Sequence, residues 1–497
     1  MKGDFTRVTF DPTKHYSRVL QQQGRVQLDS DFNEMASIHA YFLRRLAADL
    51  IGPHGGPGFE IGGKGTDLQR DFTIGNGHYY VDGLLCENDP ALPYTGQPGF
   101  ADADNLKDGK IYLAYLDVWE RHVTAFEDQD ENKIGIQEVA LRGPDTTSRA
   151  KIVWQVKSKL VPDAKTQDAL TADDPANPGK KYENFHNFLA RNAFGDGNLR
   201  ARALRPRDED EPCLISPEAR YRGAENQLYR VEIHRGGPAW DGKRDNDNRP
   251  AGNHNDAATF KWSRDNGSVI FPIANLEGNV VSLASLGRDS HLGLRPDDWV
   301  EIVDDDYVLR NRADALLQVK EVKREHLQVI LKTAPLPDVG IDATRHPLLR
   351  RWDQHAGATE HGAMLVFEGA AGDDASWITL EDGVQIQFTA PPSPPKPFVN
   401  VDVVVDKKTR AADADVADVN RAGGLSSSTY RTGDYWLIPA RVATGDVDWP
   451  GPPNNPLPRP PYGIEHSYAP LAIVTFDGGG KISGLTDLRR PIKQLWL

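Results

Sequence analysis

The chain has 497 residues, a formal net charge of −14 and a hydrophobic fraction of 39%, with 10 Trp, 15 Tyr and 17 Phe. That apolar and aromatic content excludes a largely disordered protein, and the length suits roughly two to four domains or one elongated, multi-lobed body. The acidic balance, with no Lys/Arg-rich run, argues against a nucleic-acid-binding surface, because phosphate contacts need clustered cations.

Residues 5–12 lack helical periodicity, and Pro12 pushes Asp11 toward extended geometry, so an extended arm is expected, with a turn at Gly24. A long helix follows, with Asp31 as its N-cap and Glu34 completing a capping box. Phe32, Met35, Phe42, Leu46 and Leu50 recur at helical spacing, widened by Ile38 and Tyr41, while Asn33, Ser37 and Arg44 fall on the polar side. The glycine- and proline-rich run at 52–58 stops this rod, about 30 Å long. Arm and rod bury little surface alone, so they dock on the body or on another chain.

The body reads as β structure. Residues 72–86 carry Asn-Gly and Asp-Gly hairpin signals, and 110–124 alternate Tyr112, Ala114, Leu116 and Val118 against Ile111, Leu113 and Tyr115, which predicts an internal strand. Residues 151–156 form another strand. From 160 to 212 the chain is polar, with a short helix expected at 182–193 and otherwise a long surface excursion. Residues 227–234 alternate Leu228, Arg230, Glu232 and His234 against Tyr229, Val231 and Ile233, a strand with one wet face. Strand character returns over 259–272. Short strands at even spacing between 279 and 333 predict a small OB-like or SH3-like barrel. Further strands are expected at 364–368, 377–380, 384–388, 399–405, 434–438 and 471–476, with stiff proline-rich links at 391–397 and 449–462. The fold class is therefore mainly β (all-β or α+β), an N-terminal arm and long helix followed by several small β-sandwich or barrel modules. The expected divisions are 1–58 (arm and docking helix), 59–157 (β domain), 158–272 (polar excursion plus strands), 273–340 (small barrel) and 341–497 (C-terminal β region).

Motifs for chemistry are sparse. There is no phosphate-cradling loop, no His-Glu-x-x-His helix and no Gly-x-Ser-x-Gly elbow. His254 with Asp256 and His466 after Glu465 are the nearest to ligand pairs. Asp304, Asp305 and Asp306, and secondarily Asp245 and Asp247, have the oxygen density calcium prefers but lack the glycine and distal Glu of an EF-hand loop, and as solvated turns they need no ion. Trp154, Trp262 and Trp299 sit inside strand patterns, where a core role outweighs sugar stacking. Cys86 and Cys213 make neither a disulfide framework nor a zinc pattern, and whether they meet stays open. No cofactor is expected. The start, Met1-Lys2-Gly3-Asp4-Phe5, has no apolar signal region, and no stretch approaches the ~18 apolar residues of a membrane span.

The order Tyr16, Val19-Leu20, Gly24-Arg25, Asp29 and Asn33-Glu34 resembles the N-termini of phage tail and baseplate-attached proteins. The whole chain resembles a bacterial domain family often encoded beside contractile, phage-tail-like injection systems. Four further stretches carry that likeness: 143–156 around Gly143-Pro144-Asp145-Thr146, 221–234 around Glu225-Asn226-Gln227-Leu228-Tyr229, 260–269 around Trp262-Ser263-Arg264-Asp265-Asn266-Gly267, and 433–441 around Gly433-Asp434-Tyr435-Trp436. The resemblance implies a non-enzymatic structural or attachment component, made in the cytoplasm and assembled in symmetric copies into a particle that can act outside the cell. Its partners would be other subunits of that particle, through an interface of Phe5, Phe10, Tyr16, Leu20, Arg25, Asp29, Phe32, Asn33 and Glu34, with Arg25 pairing to Asp29 or Asp31. The alternatives are a tail protein that binds or cleaves a cell-surface glycan, and a calcium-stabilised adhesin.

Overall fold

The computed structural model describes residues 1–98, 106–128, 135–141, 146–172, 179–190, 195–204, 221–247, 249–287, 292–354, 361–369, 373, 376–391 and 428–492. The chain is mainly β and divides into two units interleaved in sequence. The first comprises Met1–Ala193, Ser263–His355 and Ile464–Leu497; the second comprises Phe194–Trp262 and Ala356–Gly463.

In the first unit, the strand Ile111–Val123 is apolar on both faces because both are covered. It lies inside a four-stranded antiparallel sheet, between Arg149–Leu160 and His466–Phe476, with Ile482–Asp487 at the far edge. Tyr112, Ala114, Leu116 and Val118 face one core, shared with Phe59, Phe72, Tyr79 and Leu471. Leu113 faces the other, packed against Leu170, Phe185, Leu189 and Ile473. Each such fully buried large side chain contributes about 1.5–3 kcal/mol. The last set corrects the sequence expectation for 160–212. Ala164–Thr171 and Lys180–Ala190 are two helices whose few apolar residues cover the second face of this sheet. The second matches the short helix expected at 182–193; the first was concealed by a polar composition, Leu170 being its one fully buried apolar side chain. Within the same polar stretch, 205–212 lie outside the described residues.

The same unit holds a closed antiparallel barrel of six strands. Its order around the wall is Ile270–Glu277, Val280–Leu283, Gln328–Leu331, Leu317–Lys323, Trp299–Val303 and Leu348–Trp352, the last pairing back to the first. Alternate residues such as Phe271, Val281, Val300, Val319, Val329 and Leu349 fill the interior. There is one strand more than the five of an OB-fold. The closing strand begins past residue 340 and was hidden by Arg350 and Arg351, which are buried all the same. Arg350 donates to the Gly267 carbonyl, Arg351 donates to the Gly293 carbonyl (3.2 Å) and Asp265 (3.3 Å), and the Arg351 Nε forms an ion pair with Asp353 (3.3 Å).

In the second unit, a five-stranded sheet runs Met364–Leu365, Thr259–Ser263, Gln227–Arg235, Tyr435–Arg441 and Asp446–Val447. A three-stranded sheet, Ile378–Thr379, Val384–Thr389 and Asn198–Ala203, shares its core through Tyr229, Val231, Phe260, Ile386, Phe388 and Trp436. The opposite face of Gln227–Arg235 was expected to be wet and is buried. Arg230, Glu232 and Lys261 can leave water there because Glu232 accepts from Arg230 (2.6 Å) and lies 3.5 Å from the Lys261 ammonium. The Arg230 guanidinium also stacks 3.7 Å from the Tyr435 ring centre. The proline-rich link at 449–462 is pinned at Arg459, which exchanges backbone hydrogen bonds with Leu199. The link at 392–397 and the strand expected at 399–405 lie outside the described residues.

Candidate functional site

The N-terminal helix, α1 (Asp29–Ile51), starts three residues earlier than expected, with Leu28 at its N-cap in place of Asp31 and no side-chain cap. Asp31 does not cap it, and Glu34, expected in a capping box, and Asp29, expected to pair with Arg25, both bind the arm instead. Asp29 accepts from the Thr6 amide (2.8 Å) and the Thr6 hydroxyl, and Glu34 accepts from the Thr9 hydroxyl (2.6 Å). Thr6, rather than Arg25, therefore ties the arm to the helix at Asp29. Asp29 and Asp31 in the first turn still favour the positive end of the helix dipole. At the other end Gly52, at φ +91°, donates to the Ala48 carbonyl (2.8 Å) and stops the helix.

Arm and helix dock on their own unit by one side only. Asn266 donates to the carbonyls of Met1 (3.2 Å) and Gly3 (2.9 Å), so one of the sequence stretches carrying the family likeness holds the start of the arm. Lys2 sits 5.7 Å from the Trp352 ring centre, Phe5 meets His122 edge-on at 6.1 Å, and Phe10 packs at 5.9 Å against Tyr41 of α1. Ser30 and Ile38 are buried, and Arg44 forms an ion pair with Glu120 (2.5 Å). The stripe is therefore split: Ile38 and Tyr41, with Ser37 and Arg44, turn toward the body and arm, and the remainder of the stripe faces out. Phe32 is 66% exposed, Leu43 67%, Leu46 56% and Leu50 75%.

The nine expected interface residues accordingly separate. Phe5, Phe10, Asp29 and Glu34 make contacts within the chain. Tyr16, Leu20, Arg25, Phe32 and Asn33 are exposed. The first group fixes the arm, and the second, with Asp29, is exposed to solvent.

The aspartate triple does not converge. Asp304 caps the helix Asp305–Leu309 through the Tyr307 amide (2.8 Å) and accepts from the Gly340 amide (3.2 Å). Asp305 pairs with Arg121 (2.5 Å) and His346 (2.8 Å), and Asp306 with Arg310 (2.9 Å) and Arg345 (3.6 Å). Burial opposes the charge on Arg121, but Asp305 and Glu127 outweigh it and hold the guanidinium more firmly protonated than usual. Asp245 closes an Asx turn onto the Asp247 and Arg249 amides. Among the described residues, no group of three or more His, Cys, Asp or Glu is placed to hold a metal ion. His254 and Asp256 sit in a run of turns. Trp262 is buried, and Trp154 packs at 4.8 Å on Phe59 while donating to the Glu87 carbonyl (2.8 Å). Cys86 is buried, which pushes its thiol up to about 12; Cys213 lies outside the described residues.

His466 was singled out beside Glu465, but its partner is Asp117, and neither of the two buried clusters that follow was visible as a cluster in the sequence. Asp117, on Ile111–Val123, accepts from His466 Nδ1 (2.6 Å) and Lys157 Nζ (2.6 Å), bringing three adjacent strands together. Burial works against ionising Asp117, yet His466 and then Lys157 outweigh it and hold the carboxyl below its ordinary range. Trp119 stacks on His466 at 4.9 Å. A carboxylate oriented on an imidazole is the most catalyst-like arrangement in the unit, but here it is closed into the sheet, with His466 and Asp117 side chains 5% and 2% exposed. The second cluster gathers His54, Tyr79, Asp82, Tyr182 and His186. His54 Nδ1 lies 2.9 Å from the Tyr79 hydroxyl, and Tyr182 packs on both histidines. Desolvation pushes His54 down to about 3 and His186 to about 4, and pushes Asp82 up to about 6. No spacing motif marks either cluster, because their members lie far apart in the chain.

Among the described residues no helix is long and apolar enough to cross a membrane. No curated protein and no solved structure matches the chain. A family model does match, over residues 1–182 and 183–393, the span that includes the arm, α1 and the barrel. The chain thus belongs to DUF6519, a family of unknown function.

Proposed function

We propose that the chain is a non-enzymatic structural or attachment subunit of a larger particle, and that the outward face of α1 is the surface it offers to a neighbouring subunit. The observation that carries this is the exposure of Phe32, Leu43, Leu46 and Leu50 along one line of a helix whose other side is firmly docked. Scattered exposed leucines need no explanation, but a continuous apolar strip on a fixed element marks an interaction surface. The likeness of residues 5–34 to tail and baseplate attachment segments suggests the kind of particle, a phage-tail-like contractile injection system. On this reading the subunit is made in the cytoplasm and leaves it within the particle.

The test is incorporation. A tagged chain carrying Leu43→Glu and Leu46→Glu should fold, yet disappear from sheath-containing particles purified from the native host. A tagged native chain found only in the soluble fraction would overturn the proposal.

A further inference from the structure

The exposed face of α1 has a period that specifies its occupant. Phe32, Ala36, His39, Leu43, Leu46 and Leu50 are all exposed and follow one another at spacings of four, three, four, three and four residues. This is the 3.5-residue repeat of a helix-pairing seam, sustained over the length of α1. The residues diametrically opposite, Glu34, Tyr41 and Ala48, lie on the side turned toward the body, with Ile38 and Arg44 beside them.

Resting on the assembly role proposed above, we infer that the occupant is α1 of a second copy of this chain, packed antiparallel about a two-fold axis level with Tyr41. In that register Phe32 meets Leu50 of the other copy, Ala36 meets Leu46, and His39 meets Leu43. Every seam residue has a seam residue opposite it, and small Ala36 is matched by a large leucine. The same axis places Ala40 against its own counterpart on one flank and Phe42 against its counterpart on the other. Between Phe32 and Leu50, Asp49 is the only charged residue beside the seam, so self-pairing there brings no row of like charges together. Antiparallel helices also oppose their dipoles favourably. The interface is isologous, as closed two-fold dimers require.

The area is sufficient. The 23 residues of α1 extend about 35 Å. The exposed parts of Phe32, Phe42, Leu43, Leu46 and Leu50 amount to on the order of 500 Å². The intervening seam and flank residues raise this toward the roughly 800 Å² per partner of a standard interface.

The experiment uses the full chain. Sedimentation equilibrium of the native protein should give twice the chain mass, and Leu43→Glu/Leu46→Glu should return it to one chain mass with its thermal melt retained. Under mild oxidation Ala40→Cys should yield a covalent dimer and Leu43→Cys should not, because a parallel pair would juxtapose Leu43 with itself and an antiparallel pair does not. A native chain that is monomeric at every concentration overturns the inference, whether its seam then binds anionic lipid vesicles or another protein. Cross-linking at Leu43→Cys but not Ala40→Cys overturns the register. These outcomes are separable from the assembly role: a monomer that still enters particles refutes only the dimer, and a dimer absent from particles refutes only the role.

Discussion

Gly83, at the tip of a hairpin in the first unit, lies against the backbone of Arg44 in α1. A β-carbon at Gly83 would stand 2.1 Å from the Arg44 carbonyl oxygen. The turn also holds Asp82 at φ +48° and Gly83 at φ +78°, left-handed conformations that suit glycine. This contact, with the Arg44–Glu120 ion pair, decides which side of the helix faces the body. Gly83→Ala should therefore lower stability by about 1–3 kcal/mol and expose α1 to proteolysis first, measurable as faster cleavage within 29–51.

The buried ion cluster of the second unit should be unforgiving of single changes. Glu232→Gln removes the carboxylate charge that faces both Arg230 and Lys261, which are buried. The expected loss is about 3–5 kcal/mol by denaturant unfolding. Replacing all three by apolar residues of similar volume should cost far less, because desolvation is then relieved along with the attraction.

The two buried histidines of the first unit should make it acid-sensitive. Desolvation holds His54 at about 3 and His186 at about 4 against an ordinary 6.5, so as pH falls below 6.5 the unfolded chain takes up protons that the folded chain refuses. Their contribution is complete above 6.5 and is lost as pH falls through 4 toward 3. Asp82, raised by desolvation to about 6, acts oppositely: its contribution is complete below 3.8 and is lost as pH rises through 6. His54→Gln/His186→Gln should therefore flatten the fall in melting temperature between pH 6.5 and 4 relative to the native chain. An unchanged slope would show that the histidines do not govern it.

Asp304 acts as a helix cap and backbone acceptor on the geometry described. Asp304→Ala should cost about 0.5–2 kcal/mol, and chelator or added calcium should leave the melting temperature of the native chain unchanged. A rise with calcium would restore the ion-stabilised alternative.

Much of the β structure was legible because alternation survives in single strands. The two-faced pattern of 110–124 predicted an internal strand, and Ile111–Val123 is one. The closing strand of the barrel was not legible, since Arg350 and Arg351 read as solvent-facing until their carbonyl and carboxylate partners are known. Of the two helices over 164–190, Lys180–Ala190 was legible and Ala164–Thr171 was not, because a single buried Leu170 gives no period. For α1, periodicity revealed the apolar stripe but not its direction. Direction was set by Gly83, Glu120 and Asn266, positions remote in sequence whose role no local pattern announces. Asp117 and His466 are separated by 349 residues, so only the folded sheet brings them together.

The central claim, that the outward face of α1 joins this subunit to a particle, is tested most directly by purifying sheath-containing particles from hosts carrying either the tagged native chain or its Leu43→Glu/Leu46→Glu form. Mass spectrometry across the density gradient, with immunogold labelling of the tag, reads the outcome. The native chain should co-sediment with particles and label them at one end, and the doubly substituted chain should remain soluble and folded. Equal incorporation of both chains, or of neither, would contradict the claim.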